Sequence, residues 1–234
     1  MKIAVIQHRL RENAEDDARA LVLAVGSAAA SGAELVVVPE VLSLHDRANS
    51  AGRLLAEKLA EVAAFCLVPD LGPDSSGAAF ISELPETAGL SRALHRAAVL
   101  VGDAAIDPVE HARAAAARPV FAVLSPRSES DLQVEAVLEL AIGLSYSLAG
   151  LIIVVECSGA EPGRAGHGGS AIVLLGDVLA EANFDDDVLL AEIPEPVPQP
   201  EPAEALPELP PILAQRLASH RGLKIEQPYP ADLS

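Results

Sequence analysis

Two hydrophobic rhythms divide the chain. Short, continuous apolar runs recur early, as at Ile3-Ala4-Val5-Ile6, Leu35-Val36-Val37-Val38 and Ala97-Ala98-Val99-Leu100-Val101. Runs of this length with no polar face read as strands covered on both sides. Between them lie longer segments whose apolar positions return every three to four residues, the helical period.

The pattern predicts strands over Lys2–Gln7, Leu35–Val38, Phe65–Val68, Ala78–Ser82, Ala97–Val101, Val120–Leu124 and Leu151–Glu156. It predicts helices over Asn13–Ala30, Ala51–Ala64, Pro108–Ala117 and Asp131–Leu148. Glu15, Asp16 and Asp17 favour a helix start, and Pro108 fits a first turn, where its missing N–H costs nothing. Asp70–Gly77 and the Gly-rich stretch Gly159–Gly169 read as loops. A hairpin-like pair follows at Ala171–Leu175 and Val178–Ala182, then a last strand at Val188–Ile193. From Pro194 to Pro211 the chain is rich in Pro and Glu and has no periodicity, so it reads as extended, before a short helix at Ile212–Ser219. Early alternation of strand and helix, followed by paired strands, points to a layered α/β fold with mixed sheets.

Composition narrows the function classes. Of the 234 residues half are hydrophobic, only 3% are aromatic, and the formal net charge is −18. That charge disfavours nucleic-acid backbones and anionic membrane surfaces as partners, and it keeps an aliphatic-rich chain in solution. The chain has two cysteines, Cys66 and Cys157, both in apolar runs, so neither a disulfide framework nor a zinc set is indicated. The first residues enter a strand without a secretory layout, and no apolar run is long enough for a bilayer. A reduced, cytoplasmic setting is the expectation, with no cofactor and no metal.

Three pieces of the pattern resemble the nitrilase (carbon–nitrogen hydrolase) superfamily. One is Ile3–Gln7, Asn13 with its helix, and Gly32-Ala33-Glu34-Leu35-Val36-Val37-Val38-Pro39-Glu40. Another is Val99-Leu100-Val101-Gly102-Asp103 leading to Pro108, Glu110, Ala112 and Arg113. The third runs from Ile152–Val155 through Gly159 to Gly168-Gly169-Ser170-Ala171-Ile172-Val173 and Val178–Ala180. The resemblance covers most of Met1–Ile193 and implies a four-layer αββα sandwich over residues 1–193, with residues 194–234 as a C-terminal arm. It also implies dimerisation, as a homodimer or with a related subunit, through a helix like Asp131–Leu148 carrying Leu138, Ile142, Leu144 and Tyr146. The bland alternative is that this face covers its own sheet.

The resemblance assigns roles as well. Family chemistry runs through a cysteine that attacks an amide or nitrile carbon, a glutamate that moves protons and a lysine that steadies the developing anion. Glu40 occupies the position of the general base. Gly102 occupies the position of the nucleophile, where no covalent intermediate can form. The lysine is absent: the chain has only Lys2, Lys58 and Lys224, and Lys58 reads as a surface residue. The nearest counterpart is Arg96, whose planar guanidinium is not an equivalent replacement. The loop between lysine and nucleophile is shortened.

Three losses point to a pseudoenzyme that acts as a scaffold, regulator or binding protein. Two other readings stay open. A divergent amidase would use Glu40 with Cys157, which His167 would approach, or with a metal held by His8, His45, Glu40 and Asp103. A binding module would use the old pocket, which a scaffold would instead fill with side chains such as Leu100 or Ile106. Glu156 falls on the strand face opposite Cys157, so it is not that thiol's base. His95, His111 and His220 read as surface residues and Cys66 as core.

Overall fold

The computed structural model describes residues 1–11, 14–39, 58, 65–69, 78–81, 96–161, 164–200 and 205–222. Glu40, His45, His95, the turn at 70–77, Tyr229 and all of the 51–64 segment except Lys58 lie outside the described residues. Lys58 itself is helical and exposed.

Among the described residues, twelve strands form two mixed sheets. The first holds β1 (Lys2–Arg9), β2 (Leu35–Val37), β3 (Phe65–Pro69), β4 (Ala78–Ile81), β8 (Cys157–Glu161), β9 (Arg164–His167) and β12 (Asp187–Glu192). Its order is β4-β3-β2-β1-β8-β9, with β12 antiparallel to β1 from Lys2↔Glu192 to Gln7↔Asp187. The second holds β5 (Ala97–Val101), β6 (Phe121–Ser125), β7 (Leu151–Val154), β10 (Ala171–Leu174) and β11 (Asp177–Glu181), in the order β11-β10-β7-β6-β5. There β5, β6 and β7 run parallel, and β10 and β11 are antiparallel. The described helices are α1 (Ala14–Ala30), α2 (Pro108–Ala116), α3 (Asp131–Ser145) and α4 (Pro211–His220), with a 3₁₀ turn at Gly102–Ile106.

The period-2 geometry of a strand explains why both faces had to be apolar. Ile3, Val5, Leu35 and Val37 point inward to meet Phe121, Val123, Leu151 and Ile153 of the other sheet. Their neighbours Ala4, Ile6 and Val36 point outward against Leu21, Val25 and Ala28 of α1. On the far side Ala122, Leu124 and Ile152 pack under Val137, Leu140 and Leu144 of α3 and Leu213 and Leu217 of α4. The result is an αββα sandwich. Fully burying each such aliphatic stabilises the fold by roughly 1.5–3 kcal/mol.

Local signals set the helix ends. Asp107 accepts a hydrogen bond from Val109 N–H before Pro108 opens α2, and Ser130 caps α3 by accepting from Gln133 N–H. Leu138 and Ile142 of α3 pack against their own sheet's core, while Leu132 and Tyr146 stay exposed.

Two expectations need correction. The Gly-rich stretch is not a loop but the β8–β9 hairpin. A Cβ at Gly166 would stand 2.4 Å from the carbonyl oxygen of Cys157, so this glycine permits close strand approach instead of breaking the strand. The run 151–156 is not one strand either. β7 stops at Val154, and the chain crosses to the first sheet, where Cys157 starts β8 opposite His8. No described helix is long and apolar enough to cross a membrane.

Candidate functional site

Parallel strands bring their carboxyl ends to one edge, and in open α/β folds that edge is where chemistry collects. Along the second sheet this edge is made by Val101 of β5, paired in register with Ser125 of β6, and by Val154 of β7, paired with Leu124. Gly102 follows Val101 at once. Its φ is +58°, the left-handed region that glycine enters without a Cβ penalty. A Cβ built there meets no described atom within 4 Å. Among the described residues nothing occupies the space a side chain here would take. Leu100 and Ile106 do not fill it, because both pack in the core beneath α3 and α4.

The structure does not bring Arg96 to this point. Arg96 precedes β5, whereas Gly102 follows it, and strand rise of about 3.3 Å per residue puts the two roughly 20 Å apart. The Arg96 guanidinium donates to the carbonyl of Arg118 at 3.0 Å, ahead of β6. Arg96 cannot stand in for a lysine at Gly102, because nearness in sequence becomes distance once the segment is extended.

Both thiols belong to the first sheet. Cys66 is buried in the cluster between the first sheet and α1, and Cys157 packs against the same cluster. Burial pushes the Cys66 thiol up to about 12, which leaves it unreactive at neutral pH. His167 faces Asp131 at the start of α3, with Nδ1 2.9 Å from Oδ1.

What the edge does hold is a carboxyl group, Glu156, just beyond β7. It is 4% exposed. Its Oε1 accepts from Ser128 N–H at 2.9 Å and from Ser128 Oγ–H at 2.8 Å. Removal from water pushes it up to about 7, against the opposing pull of these hydrogen bonds and of Arg216. Glu156 N–H donates to Ser170 Oγ at 3.0 Å, and Ser170 N–H donates to Gln7 Oε1 at 2.9 Å. The crossing between the sheets is thus pinned by polar groups that water cannot reach.

Arg216 comes from α4. It is 7% exposed, donating to the Pro126 carbonyl at 2.7 Å and to Gln133 Oε1 at 3.3 Å, with Asp103 at 3.6 Å. His220, one turn on, places Nδ1 2.9 Å from Asp103 Oδ1 and Nε2 3.6 Å from Glu129. Arg221 pairs with Asp107. Three cationic or imidazole groups of the C-terminal helix thereby fasten the 3₁₀ turn that begins at Gly102. The sequence carries no local sign of this, because the partners lie about a hundred residues apart.

The remaining histidines are placed differently from expectation. His111 is buried, not superficial: its Nε2 lies 2.9 Å from the Ala105 carbonyl, and burial lowers its pKa. The helical period turns it inward onto the 3₁₀ turn. His8 is buried too, with Nε2 2.7 Å from Asp17 and Nδ1 3.5 Å from Asp186. His8 and Asp103 are each engaged elsewhere, and no group of three or more metal-ligating side chains exists among the described residues.

Neither a family sequence model nor a curated protein sequence matches the chain. Solved structures do. An amidase from Nesterenkonia sp. superposes with a TM-score of 0.62 at 16% identity, covering 83% of this chain and 90% of that one. A mutant of the Nesterenkonia AN1 amidase, described as from the nitrilase superfamily, gives 0.61 at 17% identity over 83% and 91%. Another mutant of it, showing Michael addition of acrylamide at the active-site cysteine, gives 0.61 at 16% identity over 83% and 93%. The chain has the fold of the nitrilase-superfamily amidases.

Proposed function

We propose that this chain is a nitrilase-superfamily protein that has given up the thiol chemistry of the family and works by binding. One observation carries the reading. The residue that the family resemblance puts at the nucleophile's place is Gly102, where a Cβ would meet no described atom within 4 Å, and both of the chain's thiols pack on the α1 side of the other sheet. A thioester cannot form where no thiol reaches, and substrate positioning alone supplies no attacking atom. In this reading a small ligand is held beside Gly102 without reaction. Assembly with a second copy or a related subunit belongs to the same reading, using surface such as Leu132 and Tyr146.

The test pairs two assays. Incubation with butyramide should release ammonia no faster than buffer, and incubation with acrylamide should give no stoichiometric adduct by intact mass. Ammonia release that Cys157→Ala abolishes would overturn the proposal, as would an adduct on Cys157 that Glu40→Gln prevents. For assembly, light scattering at micromolar concentration should give a dimer mass; a monomer sinks that part.

A second reading, a divergent amidase, draws on Glu156. A carboxyl held near neutrality is the kind of group that can both give and take a proton. This reading requires turnover whose pH profile breaks near 7 and loses that break in Glu156→Gln.

A further inference from the structure

The described residues include an open cleft of about 610 Å3 that shares no residue with the Gly102 edge. It lies between β1, the first three turns of α1 and the start of β12. Its apolar lining is Ile6, Ala20, Leu23, Ala24 and Val188. Leu23 is 75% exposed, a large apolar side chain left in water at the mouth of the cleft.

The polar lining is unbalanced. Arg11 is engaged by Asp186 at 3.2 Å, and Arg19 by Glu15 and Asp16 at 3.5 and 3.6 Å. Asp187 has no cation: among the described residues its carboxylate accepts only from Val188 N–H, at 2.8 Å. Behind the wall, Asp17 is 1% exposed. Its Oδ1 faces His8 Nε2 and accepts from Arg11 N–H, while Oδ2 is buried with no described partner. An orphaned buried carboxylate oxygen is costly, and it leaves negative potential at the cleft's back wall. Of the groups that line the cleft, Asp16, Asp186 and Asp187 face Arg11 and Arg19, a formal excess of one negative charge, and Asp17 sits behind them against His8. Low-dielectric walls focus such a field into the opening.

We propose that this cleft binds an aliphatic ammonium: a protonated amine directed at Asp187, with its alkyl body along Leu23, Ala24 and Val188. A carboxylate of the same length would meet the unpaired Asp187 and is rejected. A neutral amide gains the apolar contact but not the charge. The proposal is independent of what happens at Gly102.

The probe is n-butylammonium, compared with butyrate and butyramide, titrated into the labelled full chain and followed by amide chemical shifts. Butylammonium should give saturable shifts at Ala20, Leu23, Ala24 and Val188, with millimolar affinity. Asp187→Asn should weaken it about tenfold, the equivalent of roughly 1.4 kcal/mol. Leu23→Lys, a substitution at an exposed site that tethers an ammonium at the mouth, should abolish binding without disturbing shifts elsewhere. The absence of saturable shifts with butylammonium, equal binding of butyrate, or an affinity unchanged in Asp187→Asn would each overturn the assignment.

Discussion

At the carboxyl edge of β5, β6 and β7 the chain buries its ionisable groups against one another, whereas at the end of β1 it leaves them around an open cleft. Both places use strand ends, carboxylates and arginines. At the first, α4 lowers Arg216 into the fold beside Glu156 and Asp103, and the dry surroundings hold Glu156 near neutrality. At the second, Arg11 and Arg19 stay at the rim, 45% and 64% exposed, and among the described residues no cation pairs with Asp187. Enclosure, not residue type, separates a structural acid from a site that can still accept a ligand. At the Gly102 edge Asp103 and Asp107 pair with Arg216, His220 and Arg221, so these charges hold α4 in place.

The largest effect should come from Arg216→Leu. Removing one partner of a buried ionic network strands the others, at a cost of about 3–5 kcal/mol. Urea unfolding should register that loss, and Arg216→Lys should recover only part, because an ammonium lacks the fork that reaches both Pro126 and Gln133. A change under roughly 1 kcal/mol would mean that α4 is fastened by its apolar side alone.

Next comes the pH dependence that Glu156 imposes. In the folded chain its carboxyl titrates near 7, and in the unfolded chain near the ordinary 4.5 of a glutamate. Between these values the folded state keeps a proton that the unfolded state releases. The group's contribution is therefore full below about pH 4.5 and lost as pH rises through about 7. Glu156→Gln removes the proton and with it that slope. Thermal unfolding should show the wild type losing ground to the variant across this window, by up to roughly 3 kcal/mol. Parallel curves for the two proteins would show that Glu156 is ionised inside the fold.

The same contrast explains what could be read from the sequence. The layered architecture was legible because Ile3–Ile6, Leu35–Val38 and Phe121–Leu124 are apolar on both faces, and only a strand between two layers needs that. The starts of α2 and α3 were legible, the first from Pro108, whereas α3 ends at Ser145 and not at the expected Leu148. Gly102 was placed correctly after β5, but its left-handed backbone was not visible. Arg96 misled because sequence distance was taken for spatial distance along an extended strand. The β8–β9 hairpin was missed because glycine signals both a break and a close approach. Arg216, His220 and the cleft around His8 arise from tertiary return of the chain, which no local pattern encodes.

A smaller effect tests why position 102 is glycine. Gly102→Ala adds a methyl group into open space but asks alanine to hold φ near +58°, at a cost of about 1 kcal/mol. Urea midpoints for the two proteins should differ by that amount with no change in slope. A neutral outcome would mean that the turn relaxes freely and does not require glycine.

The smallest effect belongs to the cleft. Asp186 is half exposed and pairs with Arg11 across its rim, and such pairs contribute between nothing and about 1 kcal/mol. Asp186→Asn should therefore leave unfolding almost unchanged while freeing Arg11 and reducing the cleft's negative excess, so the butylammonium affinity should fall even though stability does not. A fall in both together would show that the Asp185–Asp187 segment is part of the fold's framework and not the wall of a site. Because stability and ligand affinity separate only where a charge is held at the surface, this substitution draws the boundary between the two regions most finely. Arg216 cannot serve that purpose, since any change there moves the fold before it moves a ligand.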